Sequence, residues 1–278
     1  MILPTTDSRY GFFGAEATGI GLQYRDRYTS AQPFPHIVLD NFLDDEIAAR
    51  CVAEFPSHAS AHAAYDRAQE RGKFEFNPEL LSAPLRSLFY SFNSLPFILF
   101  LENMTGIKGL IPDPYFAGAG FHEVVEGGHL DVHADFNYHV ALNLERRLNV
   151  LIYLNRDWHE DYGGCFEIWE PSMRSCVIRV LPLFNRCVIF STSPTSYHGN
   201  PDPVHHPLKA PRRSIALYYY TATWNDIRRA RNTHFQARPN SSDVYDLRVR
   251  VDEIARNVMP PIALRAVRGL WRRIHRSH

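Results

Sequence analysis

The chain has 278 residues, 45% of them apolar and 22% charged, with 30 basic and 30 acidic side chains. That composition excludes wholesale disorder, and the length allows a substantial core without disulfides. Balanced charge gives no electrostatic ground for a nucleic-acid partner, while 14 histidines add weight to a metal site.

Residues 1–114 read as a support region of helices and strands. In PFPHIVLDNFLDDEIAARCVAEFP, HIVLD is a β-branched strand, and Asp44 or Asp45 can cap a helix whose face carries Ile47, Cys51, Val52 and Phe55. Residues 57–82 are polar and weakly patterned, with KFEFN a short strand. From 84 to 105 the pattern predicts two helical pieces, with Pro96 opening the second. The apolar run LPFILFL, 95–101, is too short to span a bilayer. Cys51, Cys165, Cys176 and Cys187 form no CxxC pair, and MILPTTDSRYGFFG lacks a basic stretch followed by an apolar run. The reading is reduced thiols in a cytoplasmic protein, with a disulfide among the last three cysteines as the lesser alternative.

Between 115 and 224 the chain breaks into short β-rich segments: GFHEVV, HLDVHAD, RLNVLIYLN, GGCFEIWE, SCVIRVLP, RCVIFST and RRSIALYYYT. Their spacing predicts a mainly β core, a jelly roll or cupin-like double-stranded β-helix, with the N-terminal helices packed on one sheet. Gly163 and Gly164 read as a turn, and Trp169, Phe184 and Phe190 as core. The remainder, 225–278, begins as a polar loop, NDIRRARNTHFQARPNSSD. It ends in PPIALRAVRGLWRRIHRSH, a basic helix over 260–278 that docks on the body or frays in solvent, with a peripheral contact to an anionic membrane or a partner as the alternative.

The chemistry centres on HADFN. Side chains two apart on a strand share a face, so His133 and Asp135 aim together. Two histidines and one carboxylate hold non-haem Fe(II) with positions left open. The third arm is offered by His198 in SYHGN, after RCVIFST and before a turn-rich loop. A carboxylate-bearing cosubstrate needs a planar cation, and the last strand opens with Arg212 and Arg213.

These motifs, in this order, resemble the Fe(II)/2-oxoglutarate-dependent oxygenases of the prolyl hydroxylase type, the ribosomal prolyl hydroxylase branch in particular. The resemblance covers roughly 115–224. It implies His133, Asp135 and His198 as iron ligands, Tyr153 as a hydroxyl donor to 2-oxoglutarate, and Arg212, Ser214 and Tyr218 as the family's Arg–x–Ser–aromatic pattern. Alternation then points Arg212, Ser214 and Ala216 inward and Ile215, Leu217 and Tyr219 outward. Arg213 takes Arg212's role after a one-residue slip. The resemblance further implies O₂ as oxidant, ascorbate as a supporting reductant, and hydroxylation of an unactivated C–H bond with release of CO₂ and succinate. By the resemblance the expected substrate is a prolyl residue of a protein or peptide; a small metabolite is the alternative, and a non-catalytic cupin-like metal- or ligand-binding protein the runner-up.

Several residues near these motifs compete for roles. The loop 199–211 is longer than the family's and carries His205 and His206, rival ligands discounted for lying among prolines. His129 shares the face of His133, as pocket wall or exposed side chain. His122 and Glu123 are candidates for the pocket rim, and Asn137 and Asn143 for orienting the ligands or substrate.

Overall fold

A computed structural model describes residues 1–3, 5, 11–222, 233–239, 241 and 243. The basic C-terminal helix expected over 260–278 lies outside them. In chain order the elements are α1 (Gly14–Thr29), β1 (His36–Leu39), α2 (Asp45–Ala53), β2 (Ala63–Arg67), β3 (Glu70–Phe76), α3 (Ala83–Phe92) and α4 (Leu95–Thr105). There follow β4 (Ile111–Pro112), β5 (Gly120–Ala134), β6 (Tyr138–His139), β7 (Leu144–Tyr153), β8 (Phe166–Trp169) and β9 (Cys176–Val180). Last come β10 (Cys187–Ser191), β11 (His198–Asn200), β12 (Arg212–Ala222) and β13 (His234–Phe235).

The strands form one curled, antiparallel, double-stranded β-helix, ordered β1-β10-β7-β12-β5-β11-β8-β9. β5 joins its two layers. Its first half pairs with β12, from Ala216↔Gly120 to Arg212↔Val124, and its second half with β11, where His198 lies opposite His133. GFHEVV and HLDVHAD are therefore one strand, interrupted only by the pair Gly127–Gly128, with Gly127 at φ 73°.

One face of the first layer is covered by helices. Leu148, Val150 and Ile152 of β7, Ile215, Leu217 and Tyr219 of β12, and Ile189 of β10 are buried there in one cluster with Phe97, Phe100, Leu101 and Met104 of α4. Alternation leaves the other side chains of β7 and β12 facing the interior of the roll. Burial of such a shared apolar face stabilises the fold by about 25 cal/mol per Å² of apolar area removed from water. The α2 cap is Asp44, whose Oδ1 accepts from Glu46 N at 2.9 Å. Asn185, fully buried, ties the same corner to the sheet by accepting from Leu43 N and donating to Leu43 O, both at 2.8 Å.

Three elements depart from the sequence reading. α1 carries Gly14, Gly19 and Gly21 and has no side-chain cap, so its pattern is weak. Gly21 is required because a Cβ there would come 2.4 Å from Phe100 O, where α1 crosses α4. Residues 63–76 form a full hairpin, β2–β3, and β3 pairs with β5 from Phe76↔Phe121 to Glu70↔Leu130. The expected polar loop at 225–243 contains β13, which pairs with β5.

The four cysteines are free thiols. No helix among the described residues is long and apolar enough to cross a membrane.

Candidate metal and cosubstrate site

His133 and His198 stand opposite one another on adjacent strands, and Asp135 follows His133 by two positions. One donor atom from each of the three lies within 4.8 Å of the others. Both imidazoles are oriented from behind. His133 Nδ1 donates to Asp131 O and His198 Nδ1 to Ser196 O, each at 2.8 Å. A carbonyl can only accept, so Nδ1 carries the proton and the Nε2 lone pair faces the shared centre. His133 Nε2 lies 3.6 Å from Asp135 Oδ1, and His198 Nε2 lies 3.4 Å from Asp135 Oδ2.

Asp135 has its own support. Asn149 Nδ2 donates to Oδ2 at 2.7 Å, and Arg146 Nη2 approaches the same oxygen at 3.2 Å. Arg146 also donates to Asn149 Oδ1 through Nε at 3.0 Å and Nη2 at 2.7 Å, which fixes the amide's orientation. The Arg146 guanidinium carbon sits 3.6 Å from the centre of the Tyr218 ring and 4.4 Å from that of Phe136. Burial pushes the Asp135 carboxyl up, but the adjacent Arg146 guanidinium outweighs it and holds the group well below the usual carboxylate range. Burial also lowers His198, despite the opposing pull of Asp135. The site therefore offers two imidazole nitrogen donors and one ionised oxygen donor, the set that suits Fe(II).

A cavity of about 240 Å³ is lined by this cluster and also by Arg212, Ser214 and Tyr153. Arg212 is 5% exposed, and Nε donates to Gly164 O at 2.6 Å. Gly164, at φ 64°, is required here, since a Cβ would meet Arg212 Cδ at 2.8 Å. Gly163–Gly164 is thus a cradle for the arginine as well as a turn. Among the described residues no carboxylate pairs with Arg212, and burial lowers its pKa. The Tyr153 hydroxyl is fully buried beside Arg212, whose guanidinium carbon lies 4.9 Å from the ring centre. Burial pushes the Tyr153 phenol up to about 12, so it is a donor at neutral pH. A buried cation with no carboxylate partner among the described residues, beside a buried hydroxyl, fits a carboxylate ligand, because a buried charge is costly without a counter-charge.

Several candidates fall elsewhere. Arg213 points to the opposite face, where Nε binds Glu123 Oε2 at 2.7 Å and the guanidinium carbon lies 4.2 Å from the centre of the Phe55 ring. Glu123 is consequently 1% exposed, held by Arg213 and His58, and is no rim residue; His122, one position earlier, lines the cavity. His129 turns away and meets Ala68 O at 3.1 Å. The register between β11 and β5 shifts between His133 and Leu130, so a four-residue spacing no longer keeps one face, and Leu130 lines the cavity in place of His129. His205 faces Glu126 and His206 packs on Trp158 and Tyr162, both outside the cavity. Asn143 occupies a turn at φ 56° and Asn137 accepts Arg146 N through its carbonyl, so the asparagine that orients Asp135 is Asn149. Trp169 and Phe190 are buried, whereas Phe184 is half-buried under Arg156.

Sequence reasoning passed over Arg146, Asn149 and the stretch of cavity wall formed by Tyr65, Arg67, Glu70, Lys73 and Glu75, from the hairpin β2–β3. Lys73 Nζ bridges Glu70 Oε1 at 2.9 Å and Glu75 Oε1 at 2.8 Å.

Residues 119–220 match the family model described as "2OG-Fe(II) oxygenase superfamily". No curated protein sequence matches the chain. Among solved structures, a Pseudomonas putida prolyl-4-hydroxylase is similar at 15% identity, with 73% of this chain and 99% of that one covered and a TM-score of 0.50. A prolyl 4-hydroxylase from Phytophthora capsici is similar at 19% identity, covering 77% of this chain and 68% of that one, with a TM-score of 0.51. At these identities the likeness is one of fold.

Proposed function

We propose that this chain, a 2OG-Fe(II) oxygenase of prolyl hydroxylase-like fold, hydroxylates a prolyl residue of a peptide or protein, using His133, Asp135 and His198 to hold Fe(II) and Arg212 and Tyr153 to hold 2-oxoglutarate. The carrying observation is one cavity lined both by the three-donor cluster and by a buried arginine that has no carboxylate partner among the described residues.

When bound, Fe(II) with 2-oxoglutarate and O₂ supplies the oxidising power to hydroxylate an unactivated C–H bond, with CO₂ and succinate as co-products. The chain's own work is binding and orientation. His133 and His198 present Nε2 because their Nδ1 protons are committed to backbone carbonyls. Asn149 and Arg146 fix the Asp135 carboxylate, leaving it no freedom to rotate away from the histidines. Arg212 provides a planar fork and Tyr153 an O–H for the carboxylate of the cosubstrate far from the metal. Phe166 and Phe190, 5.7 Å and 4.4 Å from the His198 ring centre, keep water from the back of the cluster.

The shared fold of the two prolyl 4-hydroxylases supports the prolyl reading. The ionised stretch of wall formed by Arg67, Glu70, Lys73 and Glu75 favours a second one, a small polar metabolite. Anaerobic Fe(II) titration in the presence of 2-oxoglutarate should produce a visible metal-to-ligand charge-transfer band, and His133→Ala should abolish it. A band of full strength in His133→Ala would sink the ligand assignment. Succinate release over a panel of prolyl peptides and free amino acids then separates the two substrate readings.

A further inference from the structure

At its C-terminal end β5 has two edges. β11 takes one and sets His198 opposite His133; β13 takes the other and sets Phe235 opposite the same His133. Residues directly opposite in antiparallel ladders share a face. His198, His133 and Phe235 therefore stand in one row across three strands. The Phe235 ring centre lies 5.4 Å from that of His133, and Phe235 borders the cavity together with Thr233.

The segment bearing Phe235 is well tied. Gln236 N donates to Val132 O at 2.8 Å. Arg238 binds Asp202 Oδ1 through Nη1 at 2.9 Å and Asp243 Oδ2 through Nε at 3.1 Å. Asp202 in turn holds Arg179, so the latch reaches the strand β9. The outer edge of β5 is thus covered in two parts. β3 runs along it up to the pair Glu70↔Leu130, and β13 begins at Ala134 and His133. Along this edge the lining changes from charged, at Glu70 and Lys73, to aromatic, at Phe235, and the aromatic part lies beside the metal-ligand row.

We infer that Phe235 is a specificity-determining residue of the proposed oxygenase: it is the apolar wall against which the C–H-bearing group of the substrate packs next to His133. The substrate class that follows carries an aliphatic ring or chain at the reacting end and its polar part toward Glu70 and Lys73. A charged group against Phe235 would lose its hydration without gaining a partner, whereas aliphatic carbon gains contact there. The inference rests on the oxygenase reading of His133, Asp135 and His198.

The test uses the full chain loaded with Co(II) and 2-oxoglutarate and titrated with imidazole and 4-phenylimidazole, read from the visible Co(II) bands. Phe235→Ala should leave imidazole affinity close to wild type and tighten 4-phenylimidazole about tenfold, the scale of filling a newly opened apolar space. Phe235→Trp should weaken 4-phenylimidazole below wild type. A gain of binding cannot come from misfolding. If 4-phenylimidazole titrates alike in all three proteins, or in none, Phe235 does not border the metal's reachable side and the inference is overturned. If the wild-type chain fails to bind Co(II), or His133→Ala keeps an unchanged Co(II) spectrum, the oxygenase assignment of these residues has failed first, and the inference with it.

Discussion

Replacing Arg212 by Met should stabilise the protein while abolishing its cosubstrate affinity. The Arg212 side chain is 5% exposed, its Nε donates to Gly164 O, and no carboxylate among the described residues pairs with it. Taking an uncompensated charge out of water costs several kcal/mol, and a charge-assisted bond to a carbonyl returns about 1.5–3 kcal/mol of that. Met keeps the apolar stem, so removing the charge should raise stability by about 1–2 kcal/mol, or a Tm about 2–4 °C higher for a chain of this size. For 2-oxoglutarate the same change removes two charge-assisted hydrogen bonds, weakening binding by about 100-fold or more. Neighbouring Arg213 supplies the contrast. Its partner Glu123 is 1% exposed, so Arg213→Met should destabilise by about 1–3 kcal/mol and leave cosubstrate binding alone. Thermal melts of the apo-protein and charge-transfer titrations with 2-oxoglutarate read both axes. An Arg212→Met protein that melts lower yet binds 2-oxoglutarate normally would refute the reasoning.

Three further outcomes follow from the same geometry. Asn149→Ala and Arg146→Met, which release Asp135, should each weaken metal binding by about 10–100-fold in apo-protein titrations, and unchanged affinity in both would show that Asp135 needs no orienting partner. Gly164→Ala puts a Cβ 2.8 Å from Arg212 Cδ at φ 64°, so it should cost about 1–2 kcal/mol in urea unfolding and weaken 2-oxoglutarate as well; a variant matching wild type on both measures would remove the cradle. His122 is buried and its pKa is held down to about 4, below its ordinary value, so its neutral form stabilises the fold. That contribution is whole above the ordinary histidine pKa and is lost as pH falls through about 4, up to about 3 kcal/mol. His122→Gln should flatten the loss of stability over this window, and parallel curves for the two proteins would count against it.

Much of the core was legible because it rests on period two. On β12, Arg212 and Ser214 line the cavity while Ile215, Leu217 and Tyr219 meet the helices, which is what alternation from RRSIALYYYT requires. His133 and Asp135 come together for the same reason, and His198 joins them by register. Where the ladder is irregular, alternation misleads. Tyr219 lies opposite Leu148 but Tyr220 opposite Arg146, so a bulge skips Arg147 and brings Arg146 to the cavity face. Asn149, by contrast, is four residues before Tyr153 on an unbroken stretch of β7, and that parity could have found it. The hairpin β2–β3 and the strand β13 carry no such signal. Their mixed, charged sequences gain order from pairing with β5, a partner remote in the chain. α1 was hidden by the glycines that its close approach to α4 demands.

Because His133 and His198 are neighbours in register but remote in sequence, the metal site has no local precursor. The three donors come within range of one another only after β11 has closed against β5, and closing such a loop is a slow step in chains rich in non-local pairs. A growing chain halted before residue 198 would hold the HADFN pair without its partner, and an unfolded one would scatter all three. An ion held by these three donors would therefore bind only once the roll has shut, and would favour the closed form by mass action.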